Sequence, residues 1–247
     1  MKILLLDIET APNLAHVWGL WQQNVGLSQI MESGYTLCWA AKWLGEKEVH
    51  VGTIRQGERK MVLDIHSLMS EADAIVHYNG ERFDIPTLNK DFLLQGLPPP
   101  APSKQIDLLR VVKRRFRFPS NKLAYVSDKL GIGGKVEHEG HSLWVKCMVG
   151  DPDAWRNMVA YNVQDVRLLE RLYEKLVPWI KGHPNHGLHN PDNSEVCPKC
   201  GSESYQRRGM EHTSSCSYQR FQCLSCHGWF RGVRNVGPKP SQKFASL

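Results

Sequence analysis

The apolar and polar positions alternate between two periodicities along this chain. Residues 3–8, Ile-Leu-Leu-Leu-Asp-Ile, form a short continuous apolar run that reads as a buried strand. Tyr35 to Leu44 and Glu48 to Ile54 read as two more strands, joined as a hairpin through Gly45. Lys60 to Ala72 changes period, with Met61, Leu63, Ile65 and Leu68 at helical spacing. Ala74 to Tyr78 returns to strand. Phe83 to Gln95 reads as a helix that tolerates Pro86 in its first turn and meets Gly96 just past its end. A proline-rich loop, 97–102, leads to a short strand over 105–109 and a helix over 121–130 closed by Gly131. Asp151 caps a helix with Pro152 in first position, and Val159 to Leu176 carries Leu168, Leu169, Leu172 and Leu176 on one face. Strands alternating with helices predict an α/β sheet covered by helices.

Pro178 ends the last helix, and residues 181–194, rich in Gly, Pro, Asn and His, read as a linker. The expected organisation is therefore a main domain over 1–180, the linker 181–194, a small unit over 195–235 and a basic tail over 236–247 that is expected to be disordered. Net charge supports the division. Of a formal +6, residues 1–180 contribute +1 and residues 181–247 contribute +5, so an anionic partner is favoured at the C-terminal end. No stretch reaches the roughly 18 apolar residues of a membrane span. Asp7 and Glu9 interrupt the N-terminal apolar run before it could serve as a secretion signal. The expectation is a cytoplasmic protein, of a bacterium or an infected host cell, with no membrane partner.

Three groups of residues carry candidate chemistry in the main domain. Asp7 and Glu9 are two apart at a strand end, so both carboxylates face the same way, which is costly unless a cation lies between them. Asn79-Gly-Glu-Arg-Phe-Asp84 follows another strand and places Asp84 at a helix start. Tyr161-Asn-Val-Gln-Asp165 puts Tyr161 and Asp165 on one face of the last long helix. Each group alone has a plain structural explanation: solvated acids at a strand exit, an acid favoured by a helix dipole, a Tyr–Asp hydrogen bond.

In this order and wording the three groups resemble the exonuclease motifs of the DEDD superfamily, the DnaQ-like enzymes with a ribonuclease-H-like fold. The resemblance covers about residues 1–180. Asp7 and Glu9 match the first motif, Asp84 the second, and Tyr161 with Asp165 the third. The position that carries His in one variant of the third motif is Ala160 here, so the sequence looks like the tyrosine (DEDDy) subgroup. His138 and His141 lie too far upstream to serve as that base. The resemblance implies a ribonuclease-H-like mixed sheet flanked by helices. It implies two Mg²⁺ or Mn²⁺ ions held by Asp7, Glu9, Asp84 and Asp165, a set of hard oxygen ligands, and 3′–5′ hydrolysis of single-stranded nucleic acid to nucleoside 5′-monophosphates by a two-metal mechanism. Tyr161 would orient the attacking water. DNA is favoured as substrate, with a separate polymerase or a replication or repair protein as partner. An endonuclease or RNA-processing nuclease on the same fold is the competing enzyme reading. A nucleic-acid-binding adaptor is the competing non-enzyme reading.

Substrate contacts are assigned to the basic run Lys113, Arg114, Arg115 and Arg117, with Asn79 and Lys122 beside it. A solvated helix end explains the run equally well. Asp107 reads as structural. In the small unit, Cys197-Pro-Lys-Cys200 and Cys223-Leu-Ser-Cys226 are two knuckles of a zinc ribbon with one structural Zn²⁺. Cys216 breaks the pattern, and Cys38 and Cys147 read as buried. Arg207, Arg208, Arg220 and Arg231 are interleaved with Tyr205, Tyr218, Phe221, Trp229 and Phe230, a composition that suits single-stranded nucleic acid. Some of those rings must instead form the ribbon's own core.

Overall fold

The strand built on the first apolar run, β1 (Ile3–Thr10), is the middle of a five-stranded sheet in the computed structural model, which describes residues 1–134, 139–190 and 195–237. After β1 come the two short strands β2 (Leu14–Ala15) and β3 (Ile30–Glu32), which pair with each other. Then follow β4 (Thr36–Trp43), β5 (His50–Thr53), α1 (Glu58–Glu71) and β6 (Ala74–His77). Next are α2 (Asp84–Leu94), β7 (Lys104–Asp107), α3 (Leu108–Arg115), α4 (Leu123–Lys129), α5 (His141–Met148) and α6 (Pro152–Leu176). The sheet order is β5-β4-β1-β6-β7, with β4 antiparallel to β1 and to β5, and β1, β6 and β7 parallel. This is the expected mixed α/β sheet flanked by helices.

Alternation along β1 sends Leu4, Leu6 and Ile8 to one face of the sheet and into one core. Leu4, Leu6 and Ile8 pack with Trp39, with Met61 and Ile65 of α1, and with Leu88 and Phe92 of α2. On a second core, Leu37 and Cys38 pack with Leu143 and Cys147 of α5 and with Trp155 and Met158 of α6. A register shift between Glu9 and Thr10 leaves Leu37 as an extra residue in β4, which is how two consecutive residues enter the same core. Lys42 is buried and ion-paired with Glu170 of α6 at 2.5 Å, and the same carboxylate accepts the N–H of Gly45.

Three local results differ from expectation. The strand expected over 105–109 ends at Asp107, and the chain turns helical at Leu108. Asp107 decides it by accepting the N–H groups of Leu109 (3.0 Å) and Arg110 (3.4 Å) as an N-cap. The helix α5 has no counterpart in the sequence reading. The segments starting at Asp151 and Val159 are one helix of 25 residues, and Asp151 caps it through the N–H groups of Asp153 and Ala154. His138, residues 191–194 of the linker and the tail from 238 lie outside the described residues.

The chain divides into two compact units at Tyr173/Glu174, whereas composition places its linker at 181–194. The C-terminal unit holds a three-stranded antiparallel sheet, β8 (Tyr205–His212), β9 (Ser217–Cys223) and β10 (Trp229–Asn235), in the order β10-β9-β8. Its first knuckle is anchored by Lys199, whose Nζ donates to the carbonyls of Pro178 (2.6 Å) and Ile180 (3.0 Å).

Candidate active site and metal centre

The bulge between Glu9 and Thr10 ends the regular part of β1, and both acids of that strand stand beside it. Asp7, Glu9 and Asp165 offer carboxylate oxygens that all lie within 4.8 Å of one another. Asp165 is buried and the other two are half-buried. Three carboxylates so close repel one another in a medium poorer than water at screening charge, and a hard cation relieves that repulsion. The donor set and its spacing therefore fit a divalent ion.

Two side chains fix the direction of these acids. Asn162, fully buried on α6, donates from Nδ2 to Asp7 Oδ2 at 2.7 Å and to the Asp7 carbonyl at 3.3 Å. Trp144 on α5 donates from Nε1 to Glu9 Oε2 at 3.2 Å. The same indole meets the ring of Tyr161 edge-on, with centroids 6.1 Å apart. Tyr161 is itself buried, one helical turn before Asp165.

Asp84 is held differently. Beyond Leu5 the ladder between β1 and β6 has ended, and Asp84 Oδ1 accepts the N–H of Ile8 at 3.1 Å, between the two acids of β1. Burial pushes its carboxyl up to about 7, against the opposing pull of the Ile8 N–H and its own backbone. The structure thus brings three of the four predicted acids into one cluster and sets the fourth on the backbone of the strand that carries two of them. The turn leading to Asp84 is tight. Asn79 has φ +71°, and a Cβ on Gly80 would lie 2.4 Å from the His77 ring, whose Nδ1 accepts the Gly80 N–H.

The four knuckle cysteines also converge. The Cys197 and Cys226 sulfurs are 3.8 Å apart and those of Cys200 and Cys223 are 3.6 Å apart. Sulfurs placed about 2.3 Å from a tetrahedral centre stand about 3.8 Å from one another, so the set fits one Zn²⁺. Backbone N–H groups of Cys226 and Gly228 point at the sulfurs of Cys223 and Cys226, each at 3.4 Å. Burial raises the thiols of Cys197, Cys200 and Cys226 to about 11. Burial also acts on Cys223, but its hydrogen bonds outweigh it and bring that thiol to about 7. Cys216 is outside the cluster, and Cys38 and Cys147 are buried in the other unit.

The sequence profile of the RNase_H superfamily matches residues 4–177. The chain belongs to this superfamily. Among solved structures, a family B DNA polymerase from the hyperthermophilic archaeon Pyrobaculum calidifontis is similar, with a TM-score of 0.53 and 18% identity over 87% of this chain. The match spans 31% of that polymerase, so the likeness concerns the fold. No curated protein sequence matches the chain.

In this RNase_H superfamily member the remaining candidates are dispersed. Lys113, Arg114 and Arg115 form the exposed last turn of α3, a position that also suits the helix dipole, and Arg117 follows it. Asn79 and Lys113 line one polar depression of about 330 Å³, in which Arg110 is ion-paired to Glu81. The N–H of Asn79 donates to Asp107. Lys122 precedes α4 and is exposed, as is His141 at the start of α5. Arg207, Arg208, Arg220 and Arg231 are exposed on the ribbon strands. Sequence reasoning missed Asn162 and Trp144. The available sign was slight: Leu143 and Cys147, four apart, are compatible with a helix around Trp144 but do not distinguish it from a loop.

Proposed function

We propose that this chain is a metal-dependent 3′–5′ exonuclease of the DEDDy type, acting on single-stranded nucleic acid with DNA favoured. The observation that supports it is the convergence of Asp7, Glu9 and Asp165, from the first strand and the last long helix of an RNase H-like nuclease domain, within 4.8 Å. Asp7, Glu9 and Asp165 would hold Mg²⁺ or Mn²⁺, with Asp84 joining from its place at the Ile8 N–H. Such ions, when bound, polarise a phosphodiester and lower the pKa of a water. Asn162 keeps one oxygen of Asp7 turned, and Trp144 does the same for Glu9. Tyr161 lies on the face of α6 that carries Asp165 and would orient the attacking water through its hydroxyl. An unperturbed phenol, with a pKa near 10, is a poor general base at neutral pH. The 3′–5′ polarity and the tyrosine subgroup rest on the motif resemblance.

The test is digestion of 5′-labelled single-stranded DNA and RNA with Mn²⁺, alongside a circular single strand. Stepwise shortening from the 3′ end and an intact circle are expected. Asp7→Ala and Asp165→Ala should abolish the ladder, and Tyr161→Phe should lower its rate severely. Cleavage of the circle would transfer the reading to an endonuclease. Full activity in Asp7→Ala would overturn the reading.

A further inference from the structure

The ribbon's aromatic residues separate by face. Tyr205, Phe221 and Phe230 cluster with centroids 5.4–5.5 Å apart and form the small core that such a unit needs. The opposite face carries Tyr218 and Arg220 from β9 with Trp229 and Arg231 from β10. The Arg220 guanidinium lies 5.0 Å from the centroid of Trp229, and that of Arg231 lies 4.0 Å from the centroid of Tyr218. Arg220 and Arg231 are also direct cross-strand partners, an arrangement that is unfavourable for like charges unless an anion joins them. Glu211, 3.6 Å from Arg231, offsets only part of that cost.

Trp229 continues this face into a cleft of about 570 Å³ that it lines with Trp179, Pro178, Lys175 and His227. The two indoles are about half exposed, 52% for Trp179 and 47% for Trp229. We propose that this cleft is a nucleobase site. An unpaired base of a single strand stacks on Trp229 and Trp179, and the flanking phosphates lie on Arg220 and Arg231. The volume falls within the range of about 300–1,000 Å³ typical of small-ligand sites. A stacking surface beside paired guanidiniums fits a polyanion with exposed rings; an apolar protein ridge would leave the two arginines facing each other with Glu211 as their one counter-charge among the described residues. Because every base has a π-face, the site tolerates any sequence, but it rejects duplex, whose bases are already stacked. This inference rests on the nuclease reading for its ligand class.

The test uses the full, zinc-loaded chain carrying Asp7→Ala, so that the ligand is not consumed. Binding of a labelled oligothymidylate of about twenty nucleotides is read by fluorescence anisotropy. Trp229→Ala and Trp179→Ala are each expected to weaken binding about tenfold, with Trp229→Phe recovering most of the loss. Arg220→Ala should lower the salt slope by about 0.7. A blunt duplex of equal length should bind at least about tenfold more weakly. Unchanged affinity in Trp179→Ala and Trp229→Phe/Trp179→Ala, or duplex binding as tight as single-strand binding, would overturn the site. Hydrolysis of a nitrophenyl ester of thymidine 5′-monophosphate by the chain with Asp7 intact is measured in parallel. Ester hydrolysis with tryptophan-independent binding sinks the cleft alone. Tryptophan-dependent binding with no ester hydrolysis sinks the nuclease reading and leaves the cleft standing.

Discussion

Replacing Asn162 with leucine isolates what holds Asp7 in place. The side chain is fully buried and its amide makes a 2.7 Å bond to Asp7 Oδ2 and a 3.3 Å bond to the Asp7 carbonyl. Leucine keeps the γ-branched shape and the number of side-chain heavy atoms, with bulkier methyls and no donor, so the site between α6 and β1 stays filled while Asp7 loses the Asn162 amide. A hydrogen bond to a charged acceptor contributes about 1.5–3 kcal/mol, and much of that is lost when the half-buried carboxylate loses this donor. At about 2–4 °C per kcal/mol for a chain of this size, the melting temperature without added Mn²⁺ should fall by about 3–12 °C. Loss of a group that orients a metal ligand costs about 10–100-fold in affinity or activity. A Mn²⁺ titration of exonuclease rate on end-labelled single-stranded DNA should therefore show a higher half-saturation, a lower plateau, or both. Cys38→Ala is the internal control. Its thiol meets the other end of the Asn162 amide at only 3.9 Å, and its removal should change the rate by less than about threefold. Wild-type rate and wild-type Mn²⁺ half-saturation in Asn162→Leu would refute the positioning argument.

Trp144→Phe keeps the ring against Tyr161 but removes the donor to Glu9, so it should lower activity about tenfold. Trp144→Ala, which also removes the ring, should lower it further, and a wild-type rate in Trp144→Phe would show that the indole N–H does nothing. Cys197→Ser should reduce bound zinc from one per chain to none, as read by metal analysis, and expose the ribbon to proteolysis, while the nitrophenyl ester is still hydrolysed. Retention of a full equivalent of zinc would exclude the four-sulfur site. Burial, with the neighbouring His183 and His189, lowers His186 to about 4. The unfolded chain then binds more protons between about pH 6.5 and 4, so the stability contributed by neutral His186 is complete above that window and is lost as pH falls through it. His186→Gln should flatten the acid side of the stability curve, and an unchanged slope would contradict this.

The legible parts of the sequence were those in which one residue type in one pattern has few physical outlets. Leu4, Leu6 and Ile8 against Asp7 and Glu9 is a period-2 pattern that sends carboxylates to one face and a core to the other, and the sheet does this. The four cysteines could be paired off by spacing because a knuckle turn places two sulfurs together almost wherever it occurs. Leu168 to Leu176 gave the last helix. Elements whose identity is decided from outside were not legible. Asp107 starts α3 by capping it, two residues before the end of the strand expected over 105–109. A short, partly exposed helix such as α5 shows only Leu143 and Cys147 as an apolar stripe, too little to distinguish it from a loop.

The same distinction explains why the acids of the site could be named and the residues that orient them could not. A carboxylate beside other carboxylates raises an electrostatic cost that has to be met, so its type and spacing carry information by themselves. Any donor in the right place can answer it. Here the answers come from an asparagine of α6, an indole of α5 and, for Asp84, the backbone N–H that β1 exposes where its ladder with β6 stops. The last of these has no side-chain identity at all: it exists because β6 pairs only as far as Leu5. Asp84 is tied to that N–H instead of to the other three acids, so the length of one parallel ladder sets where the fourth acid stands. A substitution that extended the β1–β6 pairing by two residues would displace Asp84 without touching any of the four acids.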